Sequence, residues 1–132
     1  VTADLAHAFM NTGKSQLSIM EIDGPDISKY GVVVPNGSAS GIVGLVEKPD
    51  ANEAPSNLAS IGRYVLTPDI FETLRGLRVG SGEEIQLTDA INIHAQRGSV
   101  ETVRLKGGRF DCGSVDGFMQ ASTHEYEKRL VI

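Results

Sequence analysis

The sequence predicts an α/β domain, a mixed sheet with flanking helices. Three observations carry that expectation. Short runs rich in β-branched and apolar residues recur at 16–22, 30–35, 42–49, 58–68 and 99–107. Stretches with helical spacing or capping signals precede, separate and follow them. Glycine, proline and polar turns mark the joints.

The chain opens with VTADLAHAFMNTGKSQ, where Leu5, Ala8, Phe9 and Thr12 fall near helical spacing and Gly13 is a stop signal. It starts as though in mid-helix and without an initiator Met. The expectation is a portion of a longer polypeptide, although a mature terminus left by processing fits the same residues. QLSIMEI (16–22) reads as a strand and GPD (24–26) as a turn. YGVVVP (30–35) and IVGLVEKP (42–49), joined by NGSASG, read as a hairpin. DANEAPSN (50–57) is a polar loop. LASIGRYVLTP (58–68) is a strand whose apolar content predicts burial on both faces.

TPDIFETLRGL (67–77) carries helix-start chemistry, with Thr67 as N-cap, Pro68 at the first helical position, and Asp69 and Glu72 near the positive end of the dipole. GSGEE (80–84) is a loop, and QLTDAINIHAQRG (86–98) is an amphipathic helix closed by Gly98. SVETVRLKG (99–107) alternates as a strand. GGRFDCGSVDG (107–117) is glycine-dense, and 115–130 is a closing helix. No internal repeat is visible.

Bulk properties exclude several classes. The 132 residues, 40% hydrophobic, suffice for a core. A net charge of −5 with no basic stripe argues against a nucleic-acid-binding surface. It leaves room for one anionic ligand held by local cations. The single cysteine, Cys112, cannot form an internal disulfide, which points to a reducing cytoplasm. No apolar run approaches the roughly 20 residues of a membrane span, so no membrane partner is expected.

Glu47 and Lys48 are the first candidates for chemistry. Neighbours on a strand point to opposite faces, so both reach one ligand only where the strand ends or twists. Pro49, lacking an N–H for the ladder, supplies an end. A carboxylate accepts from sugar hydroxyls and a lysine suits a phosphate; a solvated strand end explains the same pair. Asp111, flanked by glycines in GGRFDCGS, fits one ligand of a Mg²⁺ that keeps its waters and binds substrate phosphates. Taken alone it reads better as a turn or a cap for the helix starting near Ser114. Cys112 has no activating partner and reads as small buried filler. His7, His94 and His124 show no metal-ligand spacing. Glu84, Gln86, Thr88 and Asp89 read best as structural, while Ser56 and Asn57 are either ligand contacts or loop residues.

Taken together, YGVVVP, GLVEKP, APSNLASIGRYVLTPDIF, GEEIQLTDAI and FDCGSVDGFMQAS, in this order and spacing, resemble the C-terminal half of bacterial UTP–glucose-1-phosphate uridylyltransferases. The likeness runs from Asp4 to Tyr126. The longer middle stretches are specific to that family, and the EKP and DCG signatures are shared among sugar nucleotidyltransferases. The resemblance implies a Rossmann-like nucleotide-diphospho-sugar transferase fold, of which residues 1–132 would be the sugar-phosphate-binding C-terminal portion. It implies conversion of UTP and glucose 1-phosphate to UDP-glucose and diphosphate, with Mg²⁺. Carried over by position, Glu47 would bind glucose hydroxyls and Lys48 the sugar phosphate. Gly31 would offer its N–H to the sugar, Asp111 would serve the metal, and Ser56, Asn57 and Tyr64 would line the sugar side.

The family's glycine-rich nucleotide loop and its other metal-binding Asp are not found in this sequence. UTP is therefore expected to bind through an absent N-terminal half, and the chain alone is expected to be inactive. A homo-oligomer is expected if exposed sheet edges pair. Alternatives are a thymidylyltransferase of the same superfamily and a non-catalytic sugar-phosphate-binding or assembly module.

Overall fold

Several elements end where the sequence supplies a stop. The computed structural model describes residues 1–77 and 84–131, so the expected loop at 80–84 lies outside the described residues except for Glu84. Helix α1 (Thr2–Thr12) closes on Gly13, whose φ of 67° lets its N–H reach back to the Phe9 carbonyl. Strand β1 (Ser15–Glu21) follows. A 3₁₀ turn over Pro25–Lys29 leads into β2 (Gly31–Pro35), and β3 (Ile42–Glu47) returns antiparallel to it, as the expected hairpin. Strand β4 (Leu58–Val65), helix α2 (Ile70–Gly76), helix α3 (Leu87–Gln96), strand β5 (Val100–Arg104) and helix α4 (Val115–Leu130) complete the described elements.

The five strands form one sheet in the order β3-β2-β4-β1-β5. β1 and β5 run parallel and the other pairs antiparallel, so the sheet is mixed as expected. It also curls: Gly41, just before β3, bridges to Glu101 of β5, and the Thr102 N–H donates to the Ser40 carbonyl. This draws the turn end of the β2–β3 hairpin toward the opposite sheet edge. The other hairpin end, at Gly31 and Glu47, stays open.

The main core lies between one sheet face and α2 and α3. Leu17, Ile19, Val33, Leu45, Ile91 and Val100 are buried there. Val32 alternates to the opposite face, where it packs with Ile27 and Ala59. Two polar devices seal the core. Asn92 of α3 faces the edge strand β3, its Oδ1 accepting from the Leu45 N–H and its Nδ2 donating to the Leu45 carbonyl at 2.9 Å. It thereby satisfies both main-chain groups that a further strand would have paired. Buried His94 joins α3 to α2 through Thr73 Oγ1, 2.7 Å from Nε2.

Three expectations need amendment. Cys112 is exposed rather than buried filler, because it sits in the surface turn that precedes α4. Helix α2 begins at Ile70 rather than near Thr67, because Thr67–Asp69 make a turn whose carbonyl at Thr67 accepts from the Ile70 N–H. The Ser15 hydroxyl holds that turn by accepting from the Thr67 N–H. Strand β4 is buried only at Ala59 and Ser60; Gly62 and Tyr64 are exposed where the strand borders an open cleft, and Arg63 is exposed beside α1. No described helix is long and apolar enough to cross a membrane.

Candidate functional site

The open end of the hairpin is the floor of the cleft. Gly31 stands between Glu47 on β3 and Ser60 on β4 in the strand register. A Cβ on Gly31 would lie 3.1 Å from Glu47 Oε2 and 3.5 Å from Leu45 Cγ. Glycine here leaves the backbone bare and gives the carboxylate its place. The cleft, about 360 Å³, is walled by Lys29 and Tyr30 on one side, Gly62 and Tyr64 on another, and Arg109 and Asp111 from the segment after β5. Residues 31, 47, 64 and 111, far apart in sequence, therefore share one concavity.

Lys48 is placed differently. Strand β3 ends at Glu47, and Lys48 takes φ 45°, the one positive φ at a described non-glycine residue. This left-handed step ends the strand alternation. Its N–H donates to the Tyr30 carbonyl at 3.1 Å. Its side chain is exposed, makes no ion pair among the described residues and does not line the cleft.

Asp111 takes the turn role and not the cap, because Ser114 rather than Asp111 caps α4. Its Oδ1 accepts from the Gly113 N–H at 3.0 Å, and its carbonyl accepts from the Ser114 hydroxyl. Ser114 in turn caps α4 by accepting from the Gly117 N–H. The helix start sits so close that a Cβ on Gly117 would fall 1.9 Å from the Asp111 carbonyl oxygen. The Asp111 carboxylate thus faces the cleft from a glycine turn rather than from a strand.

Ser56 and Asn57 are not brought to this cleft. They line a second concavity with Asp23, Pro25 and Ile27. Ser56 Oγ donates to the Val33 carbonyl at 2.6 Å and accepts from the Leu58 N–H, and Asn57 Nδ2 donates to Asp23 Oδ1 at 3.1 Å. Those bonds pin the loop entering β4.

Sequence reasoning missed Lys29, Tyr30, Ser60 and Arg109 as cleft residues. For Arg109 a signal existed: it stands two residues before Asp111, and in an extended segment alternate residues share a face. Phe110 between them turns the other way and packs on His124 of α4, ring centroids 5.1 Å apart. Arg109 Nη1 donates to the Tyr30 hydroxyl at 3.0 Å, and its guanidinium lies 5.3 Å from the Tyr30 ring centroid. Lys29 is paired with Asp26 at 2.9 Å. That hydrogen bond and charge hold the ammonium above its usual range, with smaller contributions from Tyr30 and Asp111.

The described residues contain no cluster of three or more metal-ligating side chains. Asp111 offers one carboxylate, a donor set that suits a hard divalent cation completed by phosphate oxygens and water.

Comparison with known proteins gives these geometries a context. The nucleotidyl transferase family profile matches residues 2–128. A UTP–glucose-1-phosphate uridylyltransferase of Pseudomonas aeruginosa is 46% identical over 116 residues, which make up 86% of this chain and 42% of that protein. A solved apo UDP-glucose pyrophosphorylase matches with a TM-score of 0.87 and 42% identity, over 98% of this chain and 48% of the other. A UDP-glucose pyrophosphorylase complexed with UDP-glucose matches at 0.83 and 41%, over 95% and 49%. The chain spans less than half the length of these relatives.

Proposed function

Because the chain belongs to the nucleotidyl transferase family, we propose that it is the sugar-phosphate-binding part of an enzyme forming UDP-glucose and diphosphate from UTP and glucose 1-phosphate. The observation that carries this reading is the convergence of Gly31, Glu47, Tyr64 and Asp111 on one cleft. Its similarity to uridylyltransferases favours UTP over other nucleotides.

In this reaction a phosphate oxygen of glucose 1-phosphate bonds to the α-phosphorus of UTP. The bond from that phosphorus to the bridging oxygen breaks, and diphosphate leaves with the electron pair. No covalent enzyme intermediate is needed, so the residues position and neutralise. Glu47 accepts hydrogen bonds from glucose hydroxyls. Gly31 lets the sugar approach the backbone, and Tyr64 borders it. Lys48, at the strand end, swings its ammonium to the sugar phosphate. Asp111 would hold Mg²⁺, which supplies positive charge between the reacting phosphates when bound. Nucleotidyl transferases of this kind generally use a divalent metal. Ser56 and Asn57 have no part in this reading.

The 132 residues supply the sugar-phosphate half of the site, and UTP is held by residues outside them. The exposed apolar side chains Phe118, Met119, Tyr126 and Leu130 on α4 support a homo-oligomer. The lone, exposed Cys112 is in keeping with a reducing cytoplasm.

The test is diphosphate release from UTP and glucose 1-phosphate, with the 132-residue chain compared to one completed to the relatives' length. The completed chain should turn over and the short one should not. Lys48→Ala in the completed chain removes a charge-assisted contact of about 1.5–3 kcal/mol, so kcat/KM should fall at least about tenfold. No turnover by the completed chain would overturn the assignment, turnover by the short chain would place the nucleotide site within it, and unaltered kinetics of Lys48→Ala would remove Lys48 from the mechanism.

A further inference from the structure

Among the described residues, the hydrogen bonds of 107–114 are local or go to the start of α4, with one exception: Arg109 to Tyr30, across 79 residues of sequence. No residue of α4 is buried, so the helix gives the segment little anchorage of its own. Tyr30, by contrast, is fixed. Its N–H donates to Ile27, its carbonyl accepts from Lys48, and it immediately precedes Gly31. Arg109 meets it twice, by the 3.0 Å bond to its hydroxyl and by the guanidinium 5.3 Å from its ring centroid. A planar guanidinium makes both contacts in one geometry. Arg109 has no carboxylate partner among the described ion pairs.

The geometry points to Arg109 as a positioning residue: clasped to Tyr30, it carries Asp111 onto the hairpin that bears Gly31 and Glu47, and assembles the cleft before any ligand arrives. The inference deepens the proposed function and rests on it only for what the assembled cleft serves. Phe110 packed on His124 ties the segment to α4. Release of the clasp therefore frees both, and Asp111 leaves Glu47.

Cys112 is the only cysteine, is exposed, and adjoins Asp111. A nitroxide attached there reports where the segment lies, through paramagnetic broadening of amide resonances in the 132-residue chain. In the unsubstituted chain, Gly31, Glu47 and Ser60 should broaden strongly. In Arg109→Ala that broadening should be lost while amides of the sheet core keep their shifts, and Arg109→Lys, which retains a cation and a donor, should restore part of it. Tyr30→Phe, which removes only the hydroxyl, should weaken it, and decides the matter if Arg109→Ala does not fold. Equal broadening with and without the clasp, or none in the unsubstituted chain, overturns the inference. No sugar phosphate enters the experiment, so its failure leaves the proposed reaction standing, and failure of that reaction leaves the clasp standing.

Discussion

Gly117→Ala is the substitution for which general propensity and this structure disagree most sharply. Inside a helix, alanine is ordinarily better than glycine by about 1 kcal/mol. Here the added Cβ would stand 1.9 Å from the Asp111 carbonyl oxygen and 2.8 Å from its carbon, where real Cβ contacts essentially never fall below 3.0 Å. Both atoms are backbone, so no side chain can rotate away. Overpacking of this kind costs about 1–3 kcal/mol, and the separation it forces also breaks the Ser114 cap on the Gly117 N–H, another ~1 kcal/mol. Set against the alanine gain, the net is about 1–3 kcal/mol against the start of α4. Since no α4 residue is buried, the helix and the Asp111 turn should part while the sheet stays as it is. Hydrogen exchange followed by NMR reads this directly. Protection at Gly117 and Phe118 should fall at least about fivefold with β1 and β4 unchanged. Protection that holds or rises would mean that the close approach of residues 111 and 117 is not a feature of the protein.

Gly31→Ala should leave the melting temperature almost unchanged, because the group it crowds is the mobile end of Glu47. It should weaken glucose 1-phosphate binding by roughly tenfold or more, and calorimetric affinities equal to the parent would detach Glu47 from the sugar. Asn92→Ala strips partners from the Leu45 N–H and carbonyl and should cost at least about 2 kcal/mol in urea unfolding; a loss within error would show that edge strand satisfied by other means. The Thr67 hydroxyl is the first cause holding the Asp69 carboxyl below its usual range, with the His94 charge a lesser one. A lowered folded value stabilises fully above the unfolded carboxylate value, and the stabilisation is lost as pH falls through the folded value. Thr67→Val should raise the Asp69 midpoint in a carbonyl-carbon NMR titration and shrink that acid-side loss; an unmoved midpoint refutes the link. Lys48→Gly relieves a left-handed φ worth about 1–2 kcal/mol in a non-glycine residue. It should therefore keep or gain stability where Lys48→Ala does not, while both weaken glucose 1-phosphate binding.

What the sequence made legible was local. Gly13 and Gly98 stop α1 and α3 because a positive φ, 67° and 73°, is a property of the residue itself. The β2–β3 hairpin and the span of α4 were readable for the same reason. The start of α2 was not, since Thr67 is held as a turn by Ser15, far away in the chain. Nor was the burial of Gln16 and Ser18 on β1, whose partners include Glu101 and the Arg63 carbonyl. In the cleft, Glu47 and Asp111 could be suspected from their neighbours. The separate cleft of Ser56 and Asn57 could not, because it depends on bonds to Val33 and Asp23. Arg109 gains its meaning only from Tyr30, a contact that no window on the sequence contains.

Adjacent acidic and basic residues on a regular strand would serve opposite faces of the sheet. The chain breaks that alternation at a single residue. Lys48 adopts φ 45° and is retained there by its N–H bond to the Tyr30 carbonyl, one peptide away from Gly31. The same Tyr30 receives Arg109 through its side chain. One residue therefore anchors the strand end that presents Glu47 and Lys48 and the segment that presents Asp111. A strained backbone step persists only where its surroundings over-determine it, and here those surroundings are the floor and wall of the cleft. Strain at Lys48 and the clasp at Arg109 thus meet at Tyr30, which ties the strand end bearing Glu47 to the segment bearing Asp111, the two carboxylates that line the cleft.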